Sequence, residues 1–249
     1  MLTLFGVKVP RASSKFDLPE MITSRTSLRD GDVLVISSKY VAISEGRTIS
    51  LARIRVGDEA LELSKKYRID RRLCELIVRE SDSIVGGVPG FILTMRDGLL
   101  TPNAGIDKSN IEHGRVVLYP RRPAESATEV REAVRFRSGA RVAVVVSDSR
   151  LMPTRRGTVG VALASAGLEG IADLRGKRDL FGNALKVTTQ AIADDLCSAS
   201  QLLMGESDEA TPIVVVRGLR KELLREAVYE TKRFAIPEDE CVYIRSWKN

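Results

Sequence analysis

RVAVVVSDS, residues 141–149, is the stretch that decides the fold. Arg141–Val146 is almost uninterrupted in its apolar, β-branched character, which is typical of a strand buried on both faces. The polar group Ser147-Asp148-Ser149 follows at once, so we expect the strand to end there. Open α/β sheets bind ligands outside the carboxyl ends of their strands. The sequence therefore predicts that Asp148 lies at a ligand-binding edge of a sheet.

The segments around this strand alternate between strand and helix patterns. Further strand patterns are Val33–Ser37, the hairpin pair Phe91–Met95 and Leu99–Thr101 around an Asp-Gly turn, Val116–Tyr119 and Pro212–Val216. The helix patterns are Glu59–Tyr67, Arg71–Ser83 after the N-cap Asp70, Ser126–Arg137 before Gly139, Thr189–Met204 before Gly205, and Lys221–Lys232. No repeat or low-complexity linker interrupts this order. The chain is therefore predicted to be a mixed α/β protein that forms a single module over residues 1–249.

The composition indicates a soluble, folded protein. Of the 249 residues, 43% are hydrophobic, and the formal net charge of +6 comes from acidic and basic residues interspersed along the chain. No block of Lys and Arg with interleaved aromatic residues occurs, so a nucleic-acid-binding module is not expected. The first residues lack the apolar core of a signal peptide, and no apolar run is long enough to span a membrane. We therefore predict a cytoplasmic protein that binds no membrane.

Several familiar catalytic and binding motifs are absent from the sequence. No Walker loop and no G-x-G-x-x-G fingerprint occurs, and the near match over residues 170–177 has the wrong spacing. The single histidine, His113, is predicted to lie on the surface. The three cysteines, Cys74, Cys197 and Cys241, are far apart, which favours reduced thiols over a disulfide framework or a zinc site.

Three acidic residues stand at the ends of predicted elements. Asp107 lies in the loop TPNAGIDKSN, residues 101–110, whereas Asp148 follows the central strand and Glu206 follows a helix. Separated carboxylates suit a divalent metal that also binds substrate phosphates. Asn, Gly and Asp are also ordinary turn residues, so a purely structural role is the alternative. Arg155 and Arg156 are predicted to bind a carboxylate or phosphate, the alternative being a solvated basic loop.

Taken together, several ordered segments resemble the coenzyme F420-0:γ-glutamyl ligase family along nearly the whole chain. These segments are GDVLVISS (Gly31–Ser38), SEGR (Ser44–Arg47), NAGIDKSN (Asn103–Asn110), SDS (Ser147–Ser149), RRGTVG (Arg155–Gly160), KRDLFG (Lys177–Gly182), LLMGE (Leu202–Glu206) and VVVRG (Val214–Gly218). The resemblance implies that family's intertwined α/β fold with two subdomains in each protomer, and a homodimer. Some members carry a C-terminal flavin-binding domain, and we expect none here because the chain ends at Asn249.

The resemblance also implies an activity. In that family, GTP phosphorylates a carboxylate of coenzyme F420-0, and the amine of L-glutamate then attacks the acyl phosphate to form a γ-glutamyl amide bond. The implied cofactors are two divalent ions, Mg²⁺ or Mn²⁺, with K⁺ as a further candidate ion. These ions would neutralise the charge that develops during phosphoryl transfer.

Carried over by position, the resemblance assigns roles to individual residues. Asp107 and Asp148 are implied ligands of one metal, and Ser149 and Glu206 are implied ligands of the second. The implied nucleotide-binding residues are Val9, Pro10, Ser38, Lys39, Asn110, Met204, Gly205, Glu206, Ser207, Asp208, Glu209, Ala210 and Thr211. The predicted catalytic set is Asp107, Asp148, Arg155 and Arg156.

The chain departs from the family's pattern at two places. Ile43 stands where the family has a lysine that contacts the nucleotide, and Lys39 is the residue that could replace its charge. The segment Ser207–Ala210 stands where the family has a glycine-rich loop that lets backbone N–H groups approach phosphate. These departures leave open an amide ligase with a different acceptor. The acidic residues alone would also support a metal-dependent nucleotide phosphohydrolase. A basic nucleotide-sensing or nucleic-acid-binding protein is the third alternative and would need only the net positive charge.

Overall fold

The computed structural model describes residues 1–248 and confirms the predicted mixed α/β class. Its strands are β1 (Thr3–Val7), β2 (Val33–Ser37), β3 (Thr48–Ser50), β4 (Ser83–Val88), β5 (Phe91–Arg96), β6 (Leu99–Pro102), β7 (Arg115–Val117), β8 (Ala143–Leu151), β9 (Thr158–Leu168), β10 (Ala172–Asp173), β11 (Thr189–Gln190), β12 (Ile213–Arg217) and β13 (Leu224–Tyr229). Its α-helices are α1 (Leu18–Thr23), α2 (Ser38–Ser44), α3 (Asp58–Tyr67), α4 (Arg71–Glu80), α5 (Pro123–Ser138), α6 (Ile192–Met204), α7 (Thr231–Phe234) and α8 (Val242–Lys248). The predicted module of residues 1–249 is thus covered except for Asn249, which lies outside the described residues.

A six-stranded sheet in the order β1-β12-β2-β8-β9-β13 forms the centre of the molecule. Strand β8 pairs in parallel with β2 and antiparallel with β9, and the other pairs are antiparallel. Alternate residues of β8 enter different cores, because side chains of a strand point to opposite faces. Val144 and Val146 join one core, and Ala143 and Val145 join the other. The prediction that this stretch is buried on both faces is confirmed.

Helices cover both faces of the sheet. Helices α1, α2 and α5 pack on the face of Val144, and α6 packs on the face of Val145. Helix α5 ends at Ser138 and is followed by Gly139, whose φ of 74° is the left-handed conformation typical of a helix C-terminus. No helix among residues 1–248 combines the length and the apolar character that crossing a bilayer requires.

A further hydrophobic core, formed by residues between β2 and α5 in the chain, makes a second lobe beside the central sheet. It is built by α3, α4, the three-stranded sheet β4-β5-β6 and the pair β3-β7, with fully buried side chains such as Ile77 and Ile92. Helix α4 is preceded by Asp70, whose carboxylate accepts hydrogen bonds from the backbone N–H groups of Arg72 and Leu73, as predicted for an N-cap. A small cluster of Ala42, Ile43 and Val117 joins this second lobe to the sheet.

Strand pairing shortens two of the predicted helices, and α5 begins at Pro123, three residues before the predicted start at Ser126. The helix predicted over Arg71–Ser83 ends at Glu80, because the next residues form β4 and pair with β5. Ile84, assigned to the apolar face of that helix, therefore lies on a strand. The helix predicted over Thr189–Met204 begins at Ile192, because its first two residues form β11 and pair with β10. In both cases pairing with a neighbouring strand outweighs local helix propensity.

Two strand predictions also need correction. The strand predicted over Arg141–Val146 continues as β8 to Leu151, because β9 pairs along it beyond the point where β2 ends. Asp148 therefore lies inside a strand and not after one, although it follows the last residue that pairs with β2. The strand predicted over Val116–Tyr119 is β7, which ends at Val117.

The predicted helix Lys221–Lys232 is wrong in type. These residues form a single 3₁₀ turn, then strand β13, then the start of α7. Strand β13 pairs with β9 and forms the edge of the central sheet, with Leu224 opposite Leu168 and Tyr229 opposite Ser165. The segment is rich in helix-forming residues, and the open edge of the sheet overrides that preference.

Candidate active site

A cleft of about 930 Å³ lies between the central sheet and the second lobe. Every residue that the sequence assigned to metal or nucleotide lines it. These residues are Val9, Pro10, Ser38, Lys39, Asp107, Asn110, Asp148, Ser149, Met204, Gly205, Glu206, Ser207, Asp208, Glu209, Ala210 and Thr211. Residues from distant parts of the chain thus meet in one place, which is the arrangement expected of a ligand site.

Strand geometry separates the two predicted metal-ligand pairs. Asp148 and Ser149 are consecutive on β8, so their side chains point to opposite faces. Asp148 accepts a hydrogen bond of 2.8 Å from Ser38 on α2, whereas the Ser149 hydroxyl lies 3.3 Å from a Glu206 carboxylate oxygen beyond α6. Adjacent residues of β8 therefore face two different sides of the cleft.

Asp148 is held by a buried arginine. The Nε of Arg150 donates to Asp148 at 2.8 Å, and the Arg150 side chain is only 6% exposed. The same guanidinium donates to the Leu100 carbonyl and the Thr101 hydroxyl, both at 2.8 Å, and to the Tyr119 hydroxyl at 3.3 Å. Sequence reasoning missed Arg150. The only available signal was a charged residue two positions after Asp148, on the same face of an extended strand.

Burial and neighbouring charges shift the pKa values of Arg150 and Tyr119. Burial lowers the pKa of Arg150, but the carboxylate of Asp148 and the hydroxyl of Tyr119 raise that pKa more, so the net direction is upward. Burial raises the pKa of Tyr119, against the opposing effect of the Arg150 charge. At neutral pH Arg150 is therefore cationic, and Tyr119 is a neutral hydrogen-bonding partner.

Asp107 is presented by a tightly folded loop. Asn103, Ala104 and Gly105 all have positive φ, and a Cβ on Gly105 would lie 2.4 Å from the Tyr119 ring. The loop therefore needs glycine at this position to pack against Tyr119. One oxygen of Asp107 accepts from the Ser109 backbone N–H and hydroxyl, and the other lies 2.6 Å from the Lys39 ammonium.

Glu206 follows the end of α6 and faces neutral partners. Its carboxylate accepts hydrogen bonds from the Thr158 hydroxyl at 2.6 Å, from the Gln201 amide at 2.8 Å and from Ser149 at 3.3 Å. Gly205 ends the helix with a φ of 67°. The prediction that Glu206 lies just beyond a helix C-terminus is confirmed.

The loop after Glu206 makes one hydrogen bond within itself and another to the opposite wall of the cleft. The carboxylate of Glu209 lies against Gly205 and accepts a hydrogen bond of 2.9 Å from the Ser207 backbone N–H. The Asn110 side-chain amide donates to the Ser207 carbonyl at 2.5 Å. This bond joins the two loops that form the rim of the cleft.

Arg155 and Arg156 are not brought into the cleft. Both are exposed in the turn between β8 and β9 and do not line the cavity, and neither has an ion-pair partner among residues 1–248. Arg11 was not singled out in the sequence, yet it lines the cleft next to Pro10. His113 is exposed, as predicted. All three cysteines are free thiols, and Cys74 and Cys197 are buried.

The oxygen atoms of Glu206, Ser149 and Thr158 suit a hard cation, because they belong to a carboxylate and two hydroxyl groups, whereas Gln201 faces Glu206 with its amide nitrogen. Among residues 1–248 no group of three or more His, Cys, Asp or Glu side chains is placed to hold a metal ion. Magnesium typically takes only one or two carboxylates together with phosphate and water. The donor set at Glu206 and Ser149 therefore fits the implied metal. The pair of Asp107 and Asp148 also offers oxygen atoms, but each already contacts a basic side chain.

Comparison with known proteins identifies the family to which the chain belongs. A sequence model of the F420-0:Gamma-glutamyl ligase family matches residues 6–218. A Methanopyrus kandleri protein named coenzyme F420:L-glutamate ligase is 43% identical over 210 residues, which cover 84% of this chain and 83% of the relative. Proteins of the same name from Methanothermobacter thermautotrophicus and Halorubrum lacusprofundi are 38% and 39% identical, covering 87% of this chain and 89% and 87% of the relatives. The chain is therefore a ligase of the F420-0:Gamma-glutamyl ligase family.

Proposed function

We propose that the protein joins L-glutamate to coenzyme F420-0 through a γ-glutamyl amide bond, with GTP as the phosphoryl donor. The observation that carries this proposal is the convergence in one cleft of all the predicted metal- and nucleotide-binding residues. Relatives that match more than four-fifths of the chain are named coenzyme F420:L-glutamate ligases, which supports the same acceptor and amine.

The proposed reaction has two balanced steps. First, a carboxylate oxygen of F420-0 attacks the γ-phosphorus of GTP, which gives an acyl phosphate and GDP. Second, the amine nitrogen of L-glutamate attacks the carbonyl carbon, inorganic phosphate leaves, and the nitrogen loses a proton. Activation is needed because a carboxylate is a poor acceptor for an amine, and the phosphate provides a leaving group.

The charge of the cleft supports a need for metal. Its lining includes six acidic side chains and three basic ones. The acids are Asp107, Glu112, Asp148, Glu206, Asp208 and Glu209, and the bases are Arg11, Lys39 and Arg150. The excess negative charge of these acids would repel a nucleoside triphosphate. A bound Mg²⁺ or Mn²⁺ would neutralise phosphate charge and hold the transferred group in place.

Lys39 supports nucleotide binding despite the isoleucine at position 43. Both residues lie on α2 and line the cleft, and residues four apart share a helix face. Ile43 itself is buried, with 4% of its surface exposed, in the cluster that joins the two lobes. We therefore propose that Lys39 supplies positive charge to the cleft one helical turn before position 43, through its ion pair with Asp107 and without a direct contact to the nucleotide.

A homodimer is part of the proposal. Leu180 and Phe181 are almost completely exposed in the segment between β10 and β11, and Val187 follows with 85% exposure. Exposed apolar groups of this kind are costly in water unless another surface covers them. They support an assembly in which a second copy covers this segment.

The deciding experiment incubates the purified protein with F420-0, L-glutamate and Mg²⁺ or Mn²⁺, with GTP and ATP in parallel. Mass spectrometry is expected to show F420-0 heavier by one glutamyl unit with GTP. Nucleotide hydrolysis without an amine requirement would instead indicate a phosphohydrolase. Nucleotide cleavage that needs an amino acid but leaves F420-0 unchanged would indicate a ligase for another acceptor, in line with the acidic Ser207–Ala210 loop.

The Asp148→Ala variant is expected to lose glutamylation while it keeps the wild-type circular dichroism spectrum. Asp173→Ala is the matched control, because Asp173 is also paired with an arginine two residues later but lies outside the cleft. Normal ligation by Asp148→Ala would contradict the role proposed for this carboxylate.

A further inference from the structure

The three predicted metal-binding acids differ in the charge of their partners. Asp107 is paired with Lys39 at 2.6 Å, and Asp148 is paired with Arg150 at 2.8 Å. Glu206 has only neutral partners, two hydroxyl groups and an amide. The protein thus neutralises two of the acids itself and leaves the charge of the third available to a cation.

Lys39 is fully engaged at its acid. Its ammonium contacts the Asp107 carboxylate, the Ser109 hydroxyl at 2.7 Å and the Ser109 carbonyl at 3.2 Å. An ammonium has three donors, and these three contacts use all of them. A metal on Asp107 would therefore have to displace a well-bound lysine.

Arg150 is still more firmly fixed. Its side chain is 6% exposed, and each of its three nitrogen atoms has a hydrogen-bond partner, as described above. Two of those partners, Leu100 and Thr101, belong to β6 of the second lobe. Moving the guanidinium away from Asp148 would leave a buried charge without its bonds, which is strongly unfavourable.

We propose that Lys39 and Arg150 supply, at Asp107 and Asp148, the positive charge of one of the two divalent ions that the family resemblance implies. The protein's own side chains then hold a single divalent ion, at Glu206 with Ser149. Affinity for a hard cation depends on the charge of its ligands, and the Asp107–Asp148 pair offers none in excess of its two bases. This inference rests on the proposed metal-dependent phosphoryl transfer and concerns which residues carry its positive charge.

The test counts Mn²⁺ bound to the whole protein, by equilibrium dialysis and by loss of the free-ion EPR signal, without nucleotide, F420-0 or glutamate. The wild type is expected to bind one Mn²⁺ per chain. Glu206→Gln is expected to weaken that binding at least tenfold. Arg150→Met and Lys39→Met are each expected to raise the count to two, because an acid loses its basic partner.

Arg175→Met is the matched control for the loss of one arginine, since Arg175 pairs with Asp173 outside the cleft. It is expected to keep one ion per chain. If Arg150→Met does not fold, Lys39→Met and the wild-type count still decide the matter. Two ions per wild-type chain, no bound ion, or an ion unaffected by Glu206→Gln would each overturn the inference.

The count of bound Mn²⁺ and the glutamylation assay test the inference and the proposed function separately. A protein that glutamylates F420-0 and binds two Mn²⁺ would refute the inference and keep the function. A protein that binds one Mn²⁺ at Glu206 and fails to glutamylate F420-0 would do the reverse.

Discussion

Gly160 is the residue at which β9 and α6 come closest. A Cβ at this position would lie 2.5 Å from the carbonyl carbon and oxygen of Cys197, and the Ser198 hydroxyl already donates to the Gly160 carbonyl at 2.9 Å. Backbone atoms cannot give way as a flexible side chain can. Helix α6, which ends next to Glu206, can therefore pack this closely on β9 only because residue 160 has no side chain.

We expect Gly160→Ala to destabilise the protein by about 1–3 kcal/mol, the usual cost of overpacking. The added methyl group pushes α6 away from the sheet, so glutamylation should fall as well. Urea unfolding followed by circular dichroism measures the effect. Gly86→Ala is the matched strand control, because a Cβ there meets no atom within 4 Å, and equal losses in both variants would contradict this account.

The thiols give a second prediction for single residues. Burial raises the pKa of Cys74 to about 11, and burial raises the pKa of Cys197 still further. Because the thiolate is the reactive form, a thiol with that pKa is about 0.1% ionised at pH 8. Mass spectrometry after maleimide treatment at pH 8 should show one fast modification, at the partly exposed Cys241, and two more only in urea. Rapid labelling of all three native thiols would contradict the buried positions.

Single residues show how far sequence reasoning reaches. Asp107, Asp148 and Glu206 could be found because each stands among turn residues or beyond an apolar run. Arg150 could not, because its partners Leu100 and Thr101 lie about fifty positions away and nothing local marks them. Arg155 and Arg156 attracted attention through charge alone, and the turn between β8 and β9 keeps them outside the cavity.

Individual elements depend on local chemistry and on their neighbours to different degrees. Helix α4 has both a cap and an apolar face, and the hairpin of β5 and β6 has an Asp-Gly turn with positive φ at both residues. These local signals were enough to predict their existence. Strand β13 lacks such a signal and forms because it can pair with β9. The sequence of residues 221–232 alone contains no information about that partner strand.

We expect Asp70→Ala to lower the free energy of unfolding by about 1 kcal/mol, since the N-cap carboxylate accepts two backbone N–H groups of α4. Chemical denaturation monitored by circular dichroism measures this change. Glu62→Ala, an exposed acid on α3, is the control and should change stability by less than about 0.5 kcal/mol. A similar loss in both variants would mean that the cap contributes nothing specific.

Across the whole molecule, the cleft is formed between the central sheet and the separately packed second lobe. The sheet supplies Asp148 and Ser149, the second lobe supplies Asp107 and Asn110, and the loop after α6 supplies Glu206. Arg150 extends from the sheet to β6 of the second lobe, and Asn110 contacts the loop that follows α6. The relative position of the two lobes therefore determines the geometry of the site.

We expect Phe181→Asp to convert the proposed homodimer into a monomer, because an exposed aromatic side chain is replaced by a charge that a buried interface would exclude. Sedimentation velocity or light scattering measures the mass in solution. Phe136→Asp is the matched control, since Phe136 is equally exposed on α5, and it should remain dimeric. A wild-type protein that sediments as a monomer would refute the proposal.

The alternation of Asp148 and Ser149 along β8 has a consequence for how this gene can vary. An insertion or deletion of one codon between Val146 and Asp148 would exchange the faces of the two side chains and direct the carboxylate away from Ser38. The turn between Leu151 and Thr158 is under no such constraint, because its residues are exposed except for the half-buried Pro153. Among homologous sequences, length differences should therefore fall in that turn and be absent from the strand before it.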